Sequence, residues 1–267
     1  MKNEIKLIAS DIDGTLINDE NKLPDNFYKL LEELEKRNII FVAASGRSTQ
    51  SIQFAINKPS DNLYFISNNG AILEHGGKIS YANKFTKKDI EVIMDSFRQS
   101  EEVSIFATSS TASYVEKHPD HCSETFNDYF YNLKIVDNIN KVEDDIVKIS
   151  MYSEDNSMEN FELESTQSLK DKYFLVKAGA YFIDIMRDDS NKGNALEILL
   201  KQLDIHQKNT IGFGDYPNDI HMLEVVGKSY AMKEAHPDVR LMADEIIGSN
   251  NDNSVIKKII DLLNLDI

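Results

Sequence analysis

Residues 5–16 read IKLIASDIDGTL. The run from Ile5 to Asp11 is mostly apolar, as expected of a strand covered on both faces in a parallel sheet. On an extended segment, side chains two positions apart, such as those of Asp11 and Asp13, lie on one face. A turn beginning at Gly14 brings both to the strand's C-terminal end, where open α/β sheets bind ligands. Together they offer a nucleophile, a proton donor and oxygen ligands of the kind Mg²⁺ prefers. Asp-x-Asp-Gly also opens a calcium-binding EF-hand loop, but the glutamate required at its twelfth position is Lys22 here, and the flank reads as strand rather than helix.

Outward from this stretch the chain alternates strands and helices. Pro24 is expected at a first helical position, followed by Phe27, Leu30, Leu31 and Leu34 at i, i+3, i+4, i+7 spacing. Residues 39–44 (IIFVAA) and 63–67 (LYFIS) predict a second and a third buried strand, so the rhythm is βαβ and the sheet parallel with right-handed crossovers. Between about 84 and 186 the strand candidates SIFAT, IVKISMY, YFLVKA and YFIDIM are shorter and more alternating, and polar helices such as 86–100 separate them. After residue 190 the first rhythm returns. Leu196, Leu199, Leu200 and Leu203 mark a helix, NTIGFGD a strand running into a loop, and Ile220, Leu223 and Val226 another helix. Val255, Ile259, Leu262 and Leu263 mark the closing one. The fold class predicted is α/β, a Rossmann-like parallel-sheet core (1–83 and 188–267) interrupted by an α+β cap (84–187), with hinges near 80–86 and 186–191.

The bulk composition narrows the function classes. In 267 residues, 41% apolar, no run approaches the roughly 18 apolar residues of a membrane span. The N-terminal residues lack a signal peptide's long apolar stretch and cleavage site, and one cysteine, Cys122, excludes an internal disulfide framework, so a cytoplasmic location is expected. A net charge of −16 argues against nucleic-acid or anionic-membrane partners, which need clustered Lys and Arg. A monomer or weak homo-oligomer is expected.

The segment Asp11-Ile12-Asp13-Gly14-Thr15-Leu16 resembles the first motif of the haloacid dehalogenase superfamily of phosphotransferases. Three further motifs follow in order: Ser45-Gly46-Arg47, Lys192-Gly193, and Gly214-Asp215-Tyr216-Pro217-Asn218-Asp219. Asn68-Asn69-Gly70, with the large insert between the second and third motifs, is similar to the Cof-type branch of sugar-phosphate and small-metabolite phosphatases. The resemblance implies Mg²⁺ as cofactor and a small phosphorylated metabolite as partner. It implies Asp11 as the nucleophile that forms an aspartyl phosphate and Asp13 as the acid and base on the leaving oxygen and the attacking water. Asp13 would give the metal only its backbone carbonyl, Asp11 and Asp215 would complete the ligands, and Asp219 would support or join them. Ser45, the Gly46 amide, Asn218 and the Ile12 amide would hold phosphate oxygens, and Lys192 would neutralise charge on nucleophile and phosphate at a helix N-terminus. A divalent cation and a few placed basic groups would also answer the difficulty that an acidic protein faces with an anionic substrate.

Each assignment has a plainer rival. Lys192 alone would read as a solvated helix-end lysine, and Ser45 as a turn residue or helix cap. Arg47 either binds phosphate or substrate or pairs with an acidic residue, and Asn69 is either a turn residue or faces substrate. Tyr216-Pro217 departs from the small or polar residues common in the fourth motif, which leaves substrate size open. His118, His121 and Cys122 could suggest zinc, but no fourth ligand is evident and Pro119-Asp120 suggests a surface turn. Asp184 and Lys177 are candidates to face the substrate from the cap. A phosphomutase and a non-enzymatic phosphoacceptor or metabolite-binding regulator are the alternative functions.

Overall fold

Residues Leu7–Asp11 form strand β1, buried along its whole length. Its neighbours are two parallel strands: β2 (Ile40–Ala44) on one side, with Asp11 opposite Ala44, and β12 (Thr210–Gly214) on the other, with Ser10 opposite Phe213. The computed structural model describes residues 4–58, 60–98, 103–116, 130–153, 169–178 and 181–267. Among these, β1 lies in an eight-stranded sheet of order β14-β13-β12-β1-β2-β3-β4-β5. The remaining members are β3 (Leu63–Ser67), β4 (Ile72–His75), β5 (Lys78–Ala82), β13 (Lys228–Ala231) and β14 (Glu245–Ile246). Strands β14 through β3 run parallel, and β4 is antiparallel to β3. The fold is the α/β class read from the sequence, with a Rossmann-like core.

The helices bury the apolar faces that their periodicity marked. Phe27, Leu30, Leu31 and Leu34 are the buried residues of α1 (Phe27–Lys36). Pro24 is not its first residue, however. The Phe27 amide donates to the Pro24 carbonyl at 2.9 Å, so the proline belongs to the preceding turn. Leu196, Leu199 and Leu200 of the helix Lys192–Leu203 pack into the same core as Phe41, Phe213 and Ile259.

The chain divides into two compact units, residues 1–81 with 191–267 and residues 82–190. The second unit carries, among its described residues, a six-stranded sheet of order β10-β11-β9-β6-β7-β8. Its strands are β6 (Ser104–Thr108), β7 (Ser113–Glu116), β8 (Leu133–Val136), β9 (Lys148–Tyr152), β10 (Tyr173–Ala178) and β11 (Phe182–Arg187). Most neighbours are antiparallel, which suits the alternating sequence. Ile149, Met151 and Ile185 enter one core with Ile90, Ile93 and Phe97 of the helix Lys87–Phe97. Ser150, between Ile149 and Met151, takes the other face, where its hydroxyl donates to Asp184 Oδ1 at 2.6 Å and Lys148 Nζ lies 3.0 Å from Asp184 Oδ2. Asp184 is 5% exposed and paired with Ser150 and Lys148 within its own sheet. The Lys177 side chain and the His118, His121 and Cys122 group lie outside the described residues.

Candidate active site

Four loops at the C-terminal ends of β1, β2, β3 and β12, together with the start of the helix Lys192–Leu203, hold the predicted residues. The strand ends at Asp11 (φ −62°, ψ 159°); beyond Ile12, Asp13 is extended (φ −80°, ψ 122°) and the chain turns at Gly14, whose φ is +75°. A side chain at Gly14 would be strained in that conformation and would sit 2.6 Å from Asp215 Oδ2. The bare glycine therefore lets the first and fourth motifs approach each other.

Asp11, buried at 5% exposure, receives Lys192 Nζ on Oδ1 at 2.5 Å. The same ammonium group donates to Asp219 Oδ1 at 2.6 Å, and Lys192 is itself fully buried. The solvated helix-end reading of Lys192 is thereby excluded. The second Asp219 oxygen accepts from the amides of Asp215 (3.0 Å) and Tyr216 (3.1 Å), and Asp215 Oδ1 accepts from the Thr15 hydroxyl at 2.8 Å. A carboxylate oxygen from each of Asp11, Asp215 and Asp219 lies within 4.8 Å of the other two.

Electrostatics follow from this crowding. Burial first, and then the Asp219 charge, push the Asp11 carboxyl well above its ordinary range, with Lys192 opposing. The same two causes raise Asp215 to about 6. Burial works against the Lys192 charge, but Asp11 and Asp219 outweigh it and hold the ammonium above the usual lysine range. One cation thus faces three carboxyl groups. Asp11 Oδ2, buried, accepts no hydrogen bond among the described residues. An orphaned carboxylate oxygen beside two further carboxylates is a donor set for a hard divalent cation, and Mg²⁺ fits it.

Asp13 departs from this group. Its carboxylate, about half exposed, is gripped by Arg47 through Nε at 2.9 Å and through Nη2 to the other oxygen. The Ser45 hydroxyl is 3.4 Å from Asp13 Oδ2 and accepts the Arg47 amide at 3.1 Å. Arg47 thus forms the ion pair that one of its two readings expected. Asn218 directs its amide to Asn69 Oδ1 at 2.9 Å. The Ile12 side chain is in the core, while Tyr216 is 60% exposed at the rim. Thr15 was missed in the sequence as a site residue. The signal was a hydroxyl inside the first motif, but its partner is 200 residues away.

The family model described as haloacid dehalogenase-like hydrolase matches residues 8–259. The chain belongs to this family. Its relatives include the 5-amino-6-(5-phospho-D-ribitylamino)uracil phosphatase YbjI of Escherichia coli, 28% identical over 94% of both chains. Another is the HMP-PP phosphatase of Klebsiella pneumoniae, 24% identical over 88% of this chain and 86% of that one. Among solved structures, one from Eubacterium rectale superposes with a TM-score of 0.88 at 25% identity, covering 97% of this chain and 99% of that chain. As in other haloacid dehalogenase-like hydrolases, the candidate site therefore belongs to a hydrolytic enzyme.

Proposed function

We propose that this hydrolase is a Mg²⁺-dependent phosphatase of small phosphorylated metabolites, working through a phosphate ester on Asp11, with residues 82–190 as the unit that selects the substrate. The observation that carries the reading is the Asp11 carboxylate: one oxygen held by the buried Lys192, the other without a hydrogen-bond donor, beside Asp215 and Asp219. The names of both sequence relatives support phosphorylated small molecules as the substrate class. Asp11, Asp215 and the backbone carbonyl of Asp13 would hold the cation, with Asp219 fixing Lys192 beside them. When bound, Mg²⁺ supplies positive charge against the phosphoryl oxygens.

In the first half-reaction a carboxylate oxygen of Asp11 forms a bond to phosphorus while the ester P–O bond breaks, and the Asp13 carboxyl gives its proton to the leaving oxygen. In the second, water attacks the phosphorus of the aspartyl phosphate, Asp13 takes its proton, and Asp11 and inorganic phosphate are released. Lys192 remains beside Asp11 through both steps and offsets the negative charge of nucleophile and phosphoryl group. The Ser45 hydroxyl and Gly46 amide hold phosphoryl oxygens. Arg47, bonded to Asp13, keeps that carboxylate at the mouth of the site until the anionic substrate competes for the guanidinium.

The test is release of inorganic phosphate from p-nitrophenyl phosphate and a panel of sugar and nucleotide-precursor phosphates, with Mg²⁺ or with EDTA. Release that requires Mg²⁺ and falls to background in Asp11→Asn is the expected result. Mg²⁺-independent release, or full activity in Asp11→Asn, would overturn the mechanism. Transfer of phosphate to a second position of the sugar, with none released, would make the chain a mutase.

A further inference from the structure

The turn Asn68–Gly70, after β3, has no part in the chemistry just described, yet its backbone is closely constrained. Asn68, Asn69 and Gly70 all have positive φ, at 49°, 53° and 94°, and all three are buried. Asparagine tolerates this left-handed region, but successive residues persist there only when their surroundings over-determine them. Two other loops do so. The Asn68 amide donates to the Arg47 carbonyl at 2.8 Å, and the Asn69 amide to the Ser45 carbonyl at 3.0 Å. Gly70 is pressed on the peptide that enters the Lys192 helix: a Cβ there would lie 2.1 Å from the Asn191 oxygen and 2.8 Å from the Lys192 nitrogen.

The Asn69 side chain completes the junction. Its Oδ1 accepts from Asn218 Nδ2 at 2.9 Å. The same amide lies against Gly46, with Oδ1 at 3.0 Å and Nδ2 at 3.2 Å from the place a Gly46 Cβ would occupy. One side chain therefore spans from the Ser45–Gly46 turn to the loop that carries Asp215 and Asp219. Asn69 is 5% exposed, so the amide fills a fixed gap rather than reaching into solvent.

We propose that Asn69 is a positioning residue: its amide sets the separation between the Ser45–Gly46 turn and Asn218, and so the width of the phosphate cradle. The proposal rests on the phosphatase reading for its ligand, a phosphoryl group. Displacement of such groups by about 1 Å can cost on the order of a hundredfold in rate.

The test uses the full chain with Mg²⁺, inorganic phosphate as the binding probe and p-nitrophenyl phosphate as substrate. Asn69→Gly keeps the left-handed backbone, which glycine adopts freely, and removes only the amide. It is expected to weaken phosphate binding and to lower kcat/KM by roughly ten- to a hundredfold. Asn69→Asp keeps an oxygen facing Asn218 but adds negative charge, so kcat should recover in part while KM stays raised. Asn218→Ala should cost less in the Asn69→Gly background than alone, because part of its effect runs through the bond to Asn69. Phosphate binding in Asn69→Gly equal to wild type, or full additivity in the double variant, would overturn the proposal. A wild type that binds phosphate yet hydrolyses no ester would overturn the phosphatase reading only, since the phosphate affinities of the variants still decide on Asn69. A wild type that does neither would overturn both.

Discussion

Thr15 shows how much of this site depends on single atoms outside the charged groups. Its hydroxyl donates to Asp215 Oδ1 and so helps to keep the carboxyl ionised against burial and the Asp219 charge. Valine has nearly the same shape and no donor. Thr15→Val should leave the fold intact, raise the proton affinity of Asp215, and weaken Mg²⁺ binding by about 10- to 100-fold, the usual effect of losing an outer partner of a metal ligand. Titration calorimetry with Mg²⁺ at pH 7.5 would measure it, and unchanged affinity would mean that Asp215 does not ligate the ion. Gly14 acts at the same scale from the backbone side. Its left-handed turn, and the lack of a Cβ that would lie 2.6 Å from Asp215 Oδ2, let the first and fourth motifs approach each other.

At the scale of the element, the helix Lys87–Phe97 is the clearest case of a segment specified by its own ends. Thr86 caps it: the Asp89 amide donates to Thr86 Oγ1 at 3.2 Å, and Asp89 Oδ2 accepts the Thr86 amide at 2.9 Å. The far oxygen of Asp89 accepts from the Tyr173 hydroxyl at 2.8 Å, which ties the cap to β10. Burial raises the Asp89 pKa, but these hydrogen bonds outweigh it and hold the carboxyl below its ordinary range. Its contribution is therefore present at neutral pH and lost as pH falls through the lowered pKa, below about 4. Thr86→Ala should cost about 1 kcal/mol at pH 7 by urea denaturation, and the difference from wild type should shrink in acid. A difference that stays constant with pH would show that the Asp89 carboxylate plays no part.

Elements of this kind were also the most legible in the sequence. The runs LYFIS, SIFAT and YFLVKA became β3, β6 and β10 residue for residue, LYFIS most plainly because Asp61-Asn62 and Asn68-Asn69-Gly70 bound it. The hairpin of β4 and β5 was not read, although Gly76-Gly77 between two extended runs is a standard two-residue turn signal and both glycines have positive φ. The short β14 carries two residues, too few for any periodicity. In the site, motif order pointed to Asp11, Lys192, Asp215 and Asp219, and the structure gathers them. The contacts Thr15–Asp215 and Asn69–Asn218 were illegible because they join positions 200 and 149 residues apart, and no local pattern encodes such a meeting.

At the scale of the whole molecule the question is how a chain of net charge −16 keeps a pocket of buried carboxylates stable and ready for an anion. Among the described residues, the buried cation that meets this carboxylate group is Lys192, paired with Asp11 and Asp219. Asp11 and Asp215 therefore hold protons more tightly in the folded than in the unfolded chain, Asp215 up to about 6. Linkage then fixes a sign. A carboxyl with a raised folded pKa favours folding below its unfolded pKa and loses that advantage as pH climbs through the folded value, so the metal-free protein should lose stability between about pH 4 and 6. Mg²⁺ needs the ionised carboxylates and competes with those protons, so its stabilising effect should run the other way. At pH 7.5 a hundredfold excess over Kd should add about 2.7 kcal/mol, whereas at pH 5 the same concentration should add much less. Thermal denaturation with Mg²⁺ or EDTA across this range measures both trends, and Asp215→Asn should flatten the difference. A Mg²⁺ effect that is independent of pH would place the ion elsewhere on the acidic surface. A strong dependence centred near pH 6 ties it to the carboxylates that surround Lys192.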